Sequence, residues 1–377
     1  MSIIGKKGNE GTMIAFLRFA LKMFLSRQLT VGQRITAINY LIKTKVFKKG
    51  LIRSVEFFHT LRCNCHCPFC SEPGLCENAI MMKKTDVING IKKLADHGVV
   101  SVIFIGGESL TDPDIYDYIS YTRKLNMIPQ LQTNGTLLTE ENIYRLVNAG
   151  LYSISITLYD TLNSTHDATV GMPGALARIK SAVPVLKLKR VEVVLKTIYS
   201  RQIVESGAYD RVLDLARSFG ISVNINPLMP VGRAVPKDMG LSATEKKEYL
   251  KRTLNDPIVT THTKGALGNE CPATGNYIGI FPDGEITPCG FLPISVGNIK
   301  NTSISVARQR CIDLGIFRKG IDACVVALSR PFYDQFLTKL YSGDYALPVR
   351  IYEHPELLRV CVSLAALNKS KNVDDKN

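Results

Sequence analysis

With 377 residues, 45% hydrophobic and 21% charged, the chain has the composition of a folded globular protein with room for one large body and a smaller one. No uninterrupted apolar run approaches the roughly eighteen residues of a membrane span, so no bilayer crossing is expected. The net charge of +14 is local: residues 1–50 carry ten Lys or Arg against the single acid Glu10, which bears on what that segment touches and little on the rest.

In chain order, residues 1–50 read as a basic amphipathic helical segment. Met13 to Leu25 form an apolar helix broken by a stripe of Arg18, Lys22 and Ser26, and a second helical stretch runs from Ile35 to Ile42. Two readings stand open for them, a helix lying in the plane of an anionic membrane surface or a helical pair docked on the main body. From residue 51 to 235 strands and helices alternate. Strands are predicted at Val55–Thr60, Val100–Ile105, Pro129–Thr133, Ser153–Leu158, Val191–Ile198 and Ile221–Ile225. Helices are predicted at Asp86–His97, Asp112–Leu125, Glu140–Ala149, Gly174–Leu188 and Tyr209–Phe219. Crossovers of this length imply parallel strands, and six such units suggest an α/β fold built on an incomplete (β/α)6 barrel.

The Pro- and Gly-rich stretch Asn226–Ala243 reads as the link out of the barrel into a smaller region, residues 236–367. There Tyr277–Phe281, Pro282-Asp283-Gly284 and Glu285–Pro288 read as a hairpin whose turn is Asp-Gly. The polar tail, residues 368–377, is expected to be disordered.

Ten cysteines could staple a secreted protein, but six of them fall into two clusters behind no recognisable signal peptide, which suggests a reducing cytoplasm and metal binding. Cys63, Cys65, Cys67 and Cys70 lie within eight residues directly after the first strand, where parallel barrels gather their active-site loops. Thiolates packed this closely bind iron–sulfur clusters or zinc. Cys63, Cys67 and Cys70 give C-x3-C-x2-C, whereas a set including Cys65 is a spacing tetrahedral zinc rarely uses.

This motif, with Phe69 as the aromatic before its last cysteine, resembles the signature of the radical S-adenosylmethionine superfamily. The resemblance continues in order through Gly106-Gly107-Glu108, then Thr133-Asn134-Gly135, then Thr157 in a fourth strand, and His166-Asp167 with Gly171. It implies that Cys63, Cys67 and Cys70 hold a [4Fe–4S] cluster with one open iron for S-adenosylmethionine. It further implies that Gly106, Gly107 and Glu108 meet the ligand's ammonium group through backbone and carboxylate. Phe69, Asn134 and Thr157 would complete the cofactor site.

The second set, Cys271 and Cys289 about the hairpin with Cys311 and Cys324 downstream, resembles the SPASM or twitch extension of that superfamily. The usual C-x2-C is incomplete, because Cys324 is followed by Val325-Val326-Ala327. The resemblance therefore implies one auxiliary cluster on Cys271, Cys289 and Cys324, with Cys311 the less secure ligand. The implied activity is reductive cleavage of S-adenosylmethionine, followed by hydrogen abstraction from a peptide, a lipid-linked compound or a small metabolite. A flavodoxin- or ferredoxin-type donor would supply the electron. Expected localisation is cytoplasmic, with a peripheral contact at the inner membrane face if the N-terminal helices bind lipid. The rival is a zinc-stabilised, basic nucleic-acid-binding protein without catalysis, against which stands the lack of any zinc-finger spacing or basic-aromatic stripe.

Overall fold

A computed structural model describes residue 21 and residues 28–76, 79–237, 241–261, 264–265, 268–269, 271–273, 275–316, 324–343 and 345–374. Apart from Leu21, the predicted helix Met13–Leu25 lies outside the described residues. The first described helix, α1 (Val31–Leu41), starts four residues before its predicted position because Thr30 and Gln33 form a capping box. It then widens into a π-helical turn, Ile42–Val46.

The body is built from β1 (Ser54–Thr60), α2 (Lys84–His97), β2 (Ser101–Gly106), α3 (Ile115–Lys124), β3 (Ile128–Thr133), α4 (Glu140–Ala149), β4 (Ser153–Thr157), α5 (Asn163–Val170) and α6 (Ala175–Leu188). It continues with β5 (Glu192–Tyr199), α7 (Arg201–Glu205), α8 (Ala208–Phe219) and β6 (Ser222–Pro227). Helix α4 shows why the helix bounds were legible. The Thr139 hydroxyl accepts the Asn142 N–H, Glu140 and Glu141 occupy the positive first turn, and Gly150 ends the helix at φ 89°, a conformation that costs a side chain.

Strands β1 to β6 pair in parallel in sequence order, as the crossovers require. Alternation along them separates two faces. Val55, Phe57, Val102, Phe104, Leu131, Ile154, Leu195 and Val223 pack outward into the helices and are fully or almost fully buried. The other face, towards the barrel interior, carries a polar residue on β1 (Glu56), β3 (Gln132), β4 (Thr157), β5 (Lys196) and β6 (Asn226).

Both edges of the six-strand core are extended. After α9 (Ala243–Asn255), β7 (Val259–Thr260) adds in parallel to β6, and β8 (Lys264–Gly265) pairs with β9 (Gly268–Asn269). At the opposite edge β10 (Tyr277–Ile280) pairs in parallel with β1, placing Glu56 opposite Gly279. The predicted hairpin forms through β11 (Glu285–Thr287), whose N-terminal N–H is accepted by the Asp283 carboxylate while Gly284 adopts φ 92°. After β12 (Ile294–Ser295), β13 (Gly297–Asn298) completes a ten-stranded sheet; β12 pairs with β14 (Val349–Arg350), and α10 (Ile304–Asp313) lies between. The smaller region is thus joined to the barrel through the sheet itself.

The last described element is a helix from Pro355 to Asp374. Pro355 begins it, and neither Gly nor Pro follows to interrupt it.

Candidate active site

The loop after β1 lies at the C-terminal end of the sheet and is held from four directions. Asn134, after β3, donates through Nδ2 to Asn64 Oδ1 (2.9 Å) and to Cys65 Sγ (3.2 Å). The His66 N–H donates to the Val170 carbonyl at the end of α5 (3.0 Å). Tyr159, after β4, hydrogen-bonds the Cys67 thiol and stands 5.7 Å from the Phe69 ring. From the segment read as a mere link, the Arg233 guanidinium donates to the Cys67 carbonyl (2.7 Å) and the Arg233 N–H to the Cys70 carbonyl (3.0 Å). Gly232 adopts φ 57°, and a Cβ there would lie 2.4 Å from the Cys70 oxygen. This buttress gave no signal in the sequence beyond a Gly-Arg pair in a loop.

All four cysteines are free thiols, and they line one cavity together with Phe69, Gly106, Gly107, Asn134 and Thr157. Cys63 is set apart electrostatically. A hydrogen bond from the Cys65 thiol, with a second from the Cys65 N–H and a more distant Asn134 amide, lowers its pKa to about 6. The donor thiol of Cys65 is raised by that same bond, and burial pushes Cys70 up to about 12. Cys65 therefore serves Cys63 as a donor, as a residue outside the ligand set can.

Glu108 is already engaged by three donors of the protein. It is wholly buried, with Oε2 accepting the Asn134 N–H (2.6 Å) and Oε1 accepting the Thr133 hydroxyl (2.7 Å) and the Leu110 N–H (3.0 Å). Burial still raises its pKa to about 7. The carboxylate ties the β2 loop to the β3 loop, leaving Gly106 and Gly107 to face the cavity. A glycine is required at Gly107, where a Cβ would sit 2.3 Å from the Arg62 carbonyl.

The cavity, open to solvent, reaches down the barrel interior to Glu56, Glu72 and Lys196 and across to Met229 after β6 and to Gly290 and Phe291 of the second region. Lys196 Nζ donates to Gln132 Oε1 (2.7 Å); burial lowers its pKa, and Glu56 and Glu72 oppose that shift. Burial raises Glu72 to about 8. Gly290 makes room for Glu56, since a Cβ there would lie 2.4 Å from its Oε2.

Of the second cysteine set, the structure brings together Cys271, Cys289 and Cys324. All three are buried, burial is the main reason their pKa values rise, and a negative charge on Cys324 raises the other two further. The Met229 thioether lies 4.0 Å from Cys324 Sγ. Cys311 is not among them: it is buried on α10, near Arg308 and Tyr352. Cys76 hydrogen-bonds Asp283 at the hairpin turn instead of approaching the first loop.

Among the described residues no three His, Cys, Asp or Glu side chains are close enough to hold a single metal ion. The thiols are spread along a cavity wall instead, and a multi-iron group takes its ligands from a wider ring than one ion does. A motif with three thiols beyond the one that donates to Cys63, opening on a cavity lined by the backbone of Gly106 and Gly107, fits an iron–sulfur group that shares its site with a small-molecule ligand.

Fold and site together define an iron–sulfur enzyme on a parallel β/α barrel. Residues 57–200 match the Radical SAM superfamily. The chain is 27% identical over 298 residues to the AdoMet-dependent heme synthase of Methanosarcina barkeri, covering 71% of this chain and 84% of that protein. To the PqqA peptide cyclase of Gluconobacter oxydans it is 30% identical over 162 residues, 43% of this chain and 45% of the other. Among solved structures, anSMEcpe with bound AdoMet and Cp18Cys peptide superposes with a TM-score of 0.56 at 17% identity, covering 86% of this chain and 99% of that one. Streptococcus suis SuiB bound to precursor peptide SuiA superposes at 0.55 with 14% identity, over 73% and 69% of the two chains. These two likenesses establish the fold. The cofactors of the superfamily are a [4Fe–4S] cluster and S-adenosylmethionine, and its enzymes require an electron donor and a substrate.

Proposed function

We propose that Cys63, Cys67 and Cys70 hold the [4Fe–4S] cluster, that S-adenosylmethionine lies across Gly106, Gly107, Asn134 and Thr157, and that a substrate bearing a polar or ionic group occupies the barrel interior beside Glu56 and Lys196. The observation that carries this reading is that one cavity connects all of these groups. When bound, the cluster supplies the electron that cleaves S-adenosylmethionine, and the resulting 5′-deoxyadenosyl radical removes hydrogen from the substrate.

The chain's own residues bind, orient and exclude. Arg233, Asn134 and Tyr159 fix the cysteine loop before any ligand arrives, so little ordering is left to the binding event. Gly106 and Gly107 present backbone to the ligand, and Glu108 holds that backbone in place. Phe58, Phe69, Ile105 and Phe291 keep the cavity wall apolar and limit water at the reacting carbon. Glu56, Glu72, Gln132 and Lys196 are the polar groups available to orient a substrate, a set suited to a peptide side chain or a small polar metabolite and not to an alkyl chain.

Cys271, Cys289 and Cys324 are assigned to an auxiliary cluster behind Met229 and Gly290, which line the cavity, and Cys311 to the core. A flavodoxin- or ferredoxin-type protein is the proposed electron donor. A peripheral membrane contact of the N-terminal segment belongs to the same reading, supported by apolar residues exposed on α1.

The test is anaerobic reconstitution with iron and sulfide, reduction, and measurement of 5′-deoxyadenosine from S-adenosylmethionine. Wild-type protein is expected to form it even without substrate, and Cys67→Ala to form none. Equal yields from the two, or none from wild type carrying its full iron, would refute the assignment.

A further inference from the structure

The inward face of α1 closes the floor of the barrel. Ala37, Tyr40 and Leu41 pack with Val100 and Ile128, residues at the N-terminal starts of β2 and β3, and Gln33 Nε2 donates to the Met127 carbonyl (2.7 Å). The outward face is apolar as well. Val31, Ile35, Ile38, Ile42 and Val46 follow one another at steps of four, three, four and four, the spacing of a single helical stripe, and Phe47 extends it. Val31, Val46 and Phe47 are 70%, 68% and 65% exposed. Scattered surface apolar residues need no explanation, but a continuous ridge of six does.

Charge identifies what covers the ridge. Lys43, Lys45, Lys48 and Lys49 are exposed beside its C-terminal end, and no Asp or Glu occurs between Glu10 and Glu56. A second copy of the chain would set these lysines against their own kind. Residues 1–27 carry Lys6, Lys7, Arg18, Lys22 and Arg27 against Glu10, so they cannot neutralise the lysines either. An anionic lipid surface offers both an apolar boundary for the ridge and negative headgroups for the lysines. No helix among the described residues is long and apolar enough to cross a membrane, so this contact is interfacial.

We propose that the barrel floor, through the ridge Val31–Phe47 and its flanking lysines, docks on an anionic bilayer, with the cysteine loop and the cavity mouth turned towards the aqueous phase. The orientation follows from the sheet. The helix that carries the ridge packs by its opposite face on the N-terminal ends of strands whose C-terminal ends carry the catalytic loops, and six or seven residues of strand separate those two ends by about 20 Å. The substrate's reacting group must then be presented from the aqueous side, so a lipid tail resting in the same leaflet cannot reach the cavity.

The experiment is co-sedimentation of full-length, anaerobically purified protein with phosphatidylcholine vesicles with and without phosphatidylglycerol. Binding is expected only with phosphatidylglycerol, and it should weaken as salt rises. Ile35→Asp combined with Phe47→Asp, and separately Lys43→Glu combined with Lys48→Glu, should each weaken it about tenfold or more. Their melting curves and 5′-deoxyadenosine yields in solution should stay at wild-type values, which separates this contact from the catalytic assignment. Hydrogen exchange on vesicles should protect residues 31–49 and leave residues 63–70 unchanged. Absent binding, unchanged binding by both variants, binding abolished by deletion of residues 1–27 alone, a dimer dissolved by the variants without lipid binding, or protection at the cysteine loop would each overturn the proposal.

Discussion

Replacing Gly232 by alanine tests whether the segment after β6 holds the cysteine loop in its ligating shape. The backbone there is left-handed, at φ 57°, which costs a side chain roughly 1–2 kcal/mol. The new methyl group would also lie 2.4 Å from the Cys70 carbonyl oxygen and 2.7 Å from the Ser71 carbonyl carbon. Those are main-chain atoms that cannot swing aside, so relief requires moving the loop, at about 1–3 kcal/mol by analogy with overpacking. The sum, about 2–5 kcal/mol, is below the 5–15 kcal/mol that holds a typical domain together, so the barrel should fold. The strain should instead displace Cys70 from its position relative to Cys67. The assay pairs urea denaturation of metal-free protein with iron and sulfide content after anaerobic reconstitution. Expected is a folded variant, destabilised by a few kcal/mol at most, that retains much less iron at the first site. A Gly232→Ala protein that loads iron and forms 5′-deoxyadenosine like wild type would refute the buttress.

Other outcomes follow from individual contacts. Cys65→Ala should retain iron while Cys63→Ala loses it, because the Cys65 thiol is engaged as a donor to its neighbour; equal loss in iron analysis would place Cys65 among the ligands. Cys289→Ala should reduce iron per chain by the share of a second cluster, whereas Cys311→Ala should leave iron unchanged and lower the melting temperature through a small core cavity, costing about 1 kcal/mol. Burial pushes the Asp160 carboxyl up, but the two-pronged donation from Arg211 (2.8 Å from both Nε and Nη2) and the Thr161 N–H outweigh it and leave its pKa below the usual value. A depressed carboxyl stabilises the fold above the unfolded pKa, near 3.9, and that contribution is lost as pH falls through the folded value. Asp160→Asn should therefore cost metal-free protein about 1–3 kcal/mol at neutral pH and show a shallower loss of stability with acid, read from urea midpoints against pH. With a substrate in hand, Glu56→Gln should still cleave S-adenosylmethionine yet convert substrate at least about tenfold less efficiently, the loss of one charged hydrogen bond; wild-type product yield would remove Glu56 from substrate binding.

Much of the architecture was open to reading in one dimension, because period, caps and turns are local. Helix α4 was delimited by Thr139 and Gly150, the hairpin by Asp283-Gly284, and the cysteine loop by four thiols within eight residues. Those thiols and the glycines after β2 carry their chemistry in the identity and spacing of a few neighbours, so the cofactor class was legible from sequence.

Pairings between distant segments were decided only in three dimensions. Nothing local says that β10 adds to β1 and sets Glu56 beside Gly290, or that Gly232 and Arg233 brace a loop more than 150 residues earlier in the chain. Glu108 is the clearest case. Its place in a Gly-Gly-Glu motif suggested a ligand contact, and only the approach of β3 revealed three protein donors already around its carboxylate. A residue's type determines what it can bind, but which partner reaches it first depends on how the chain closes, and that is a property of the packed whole.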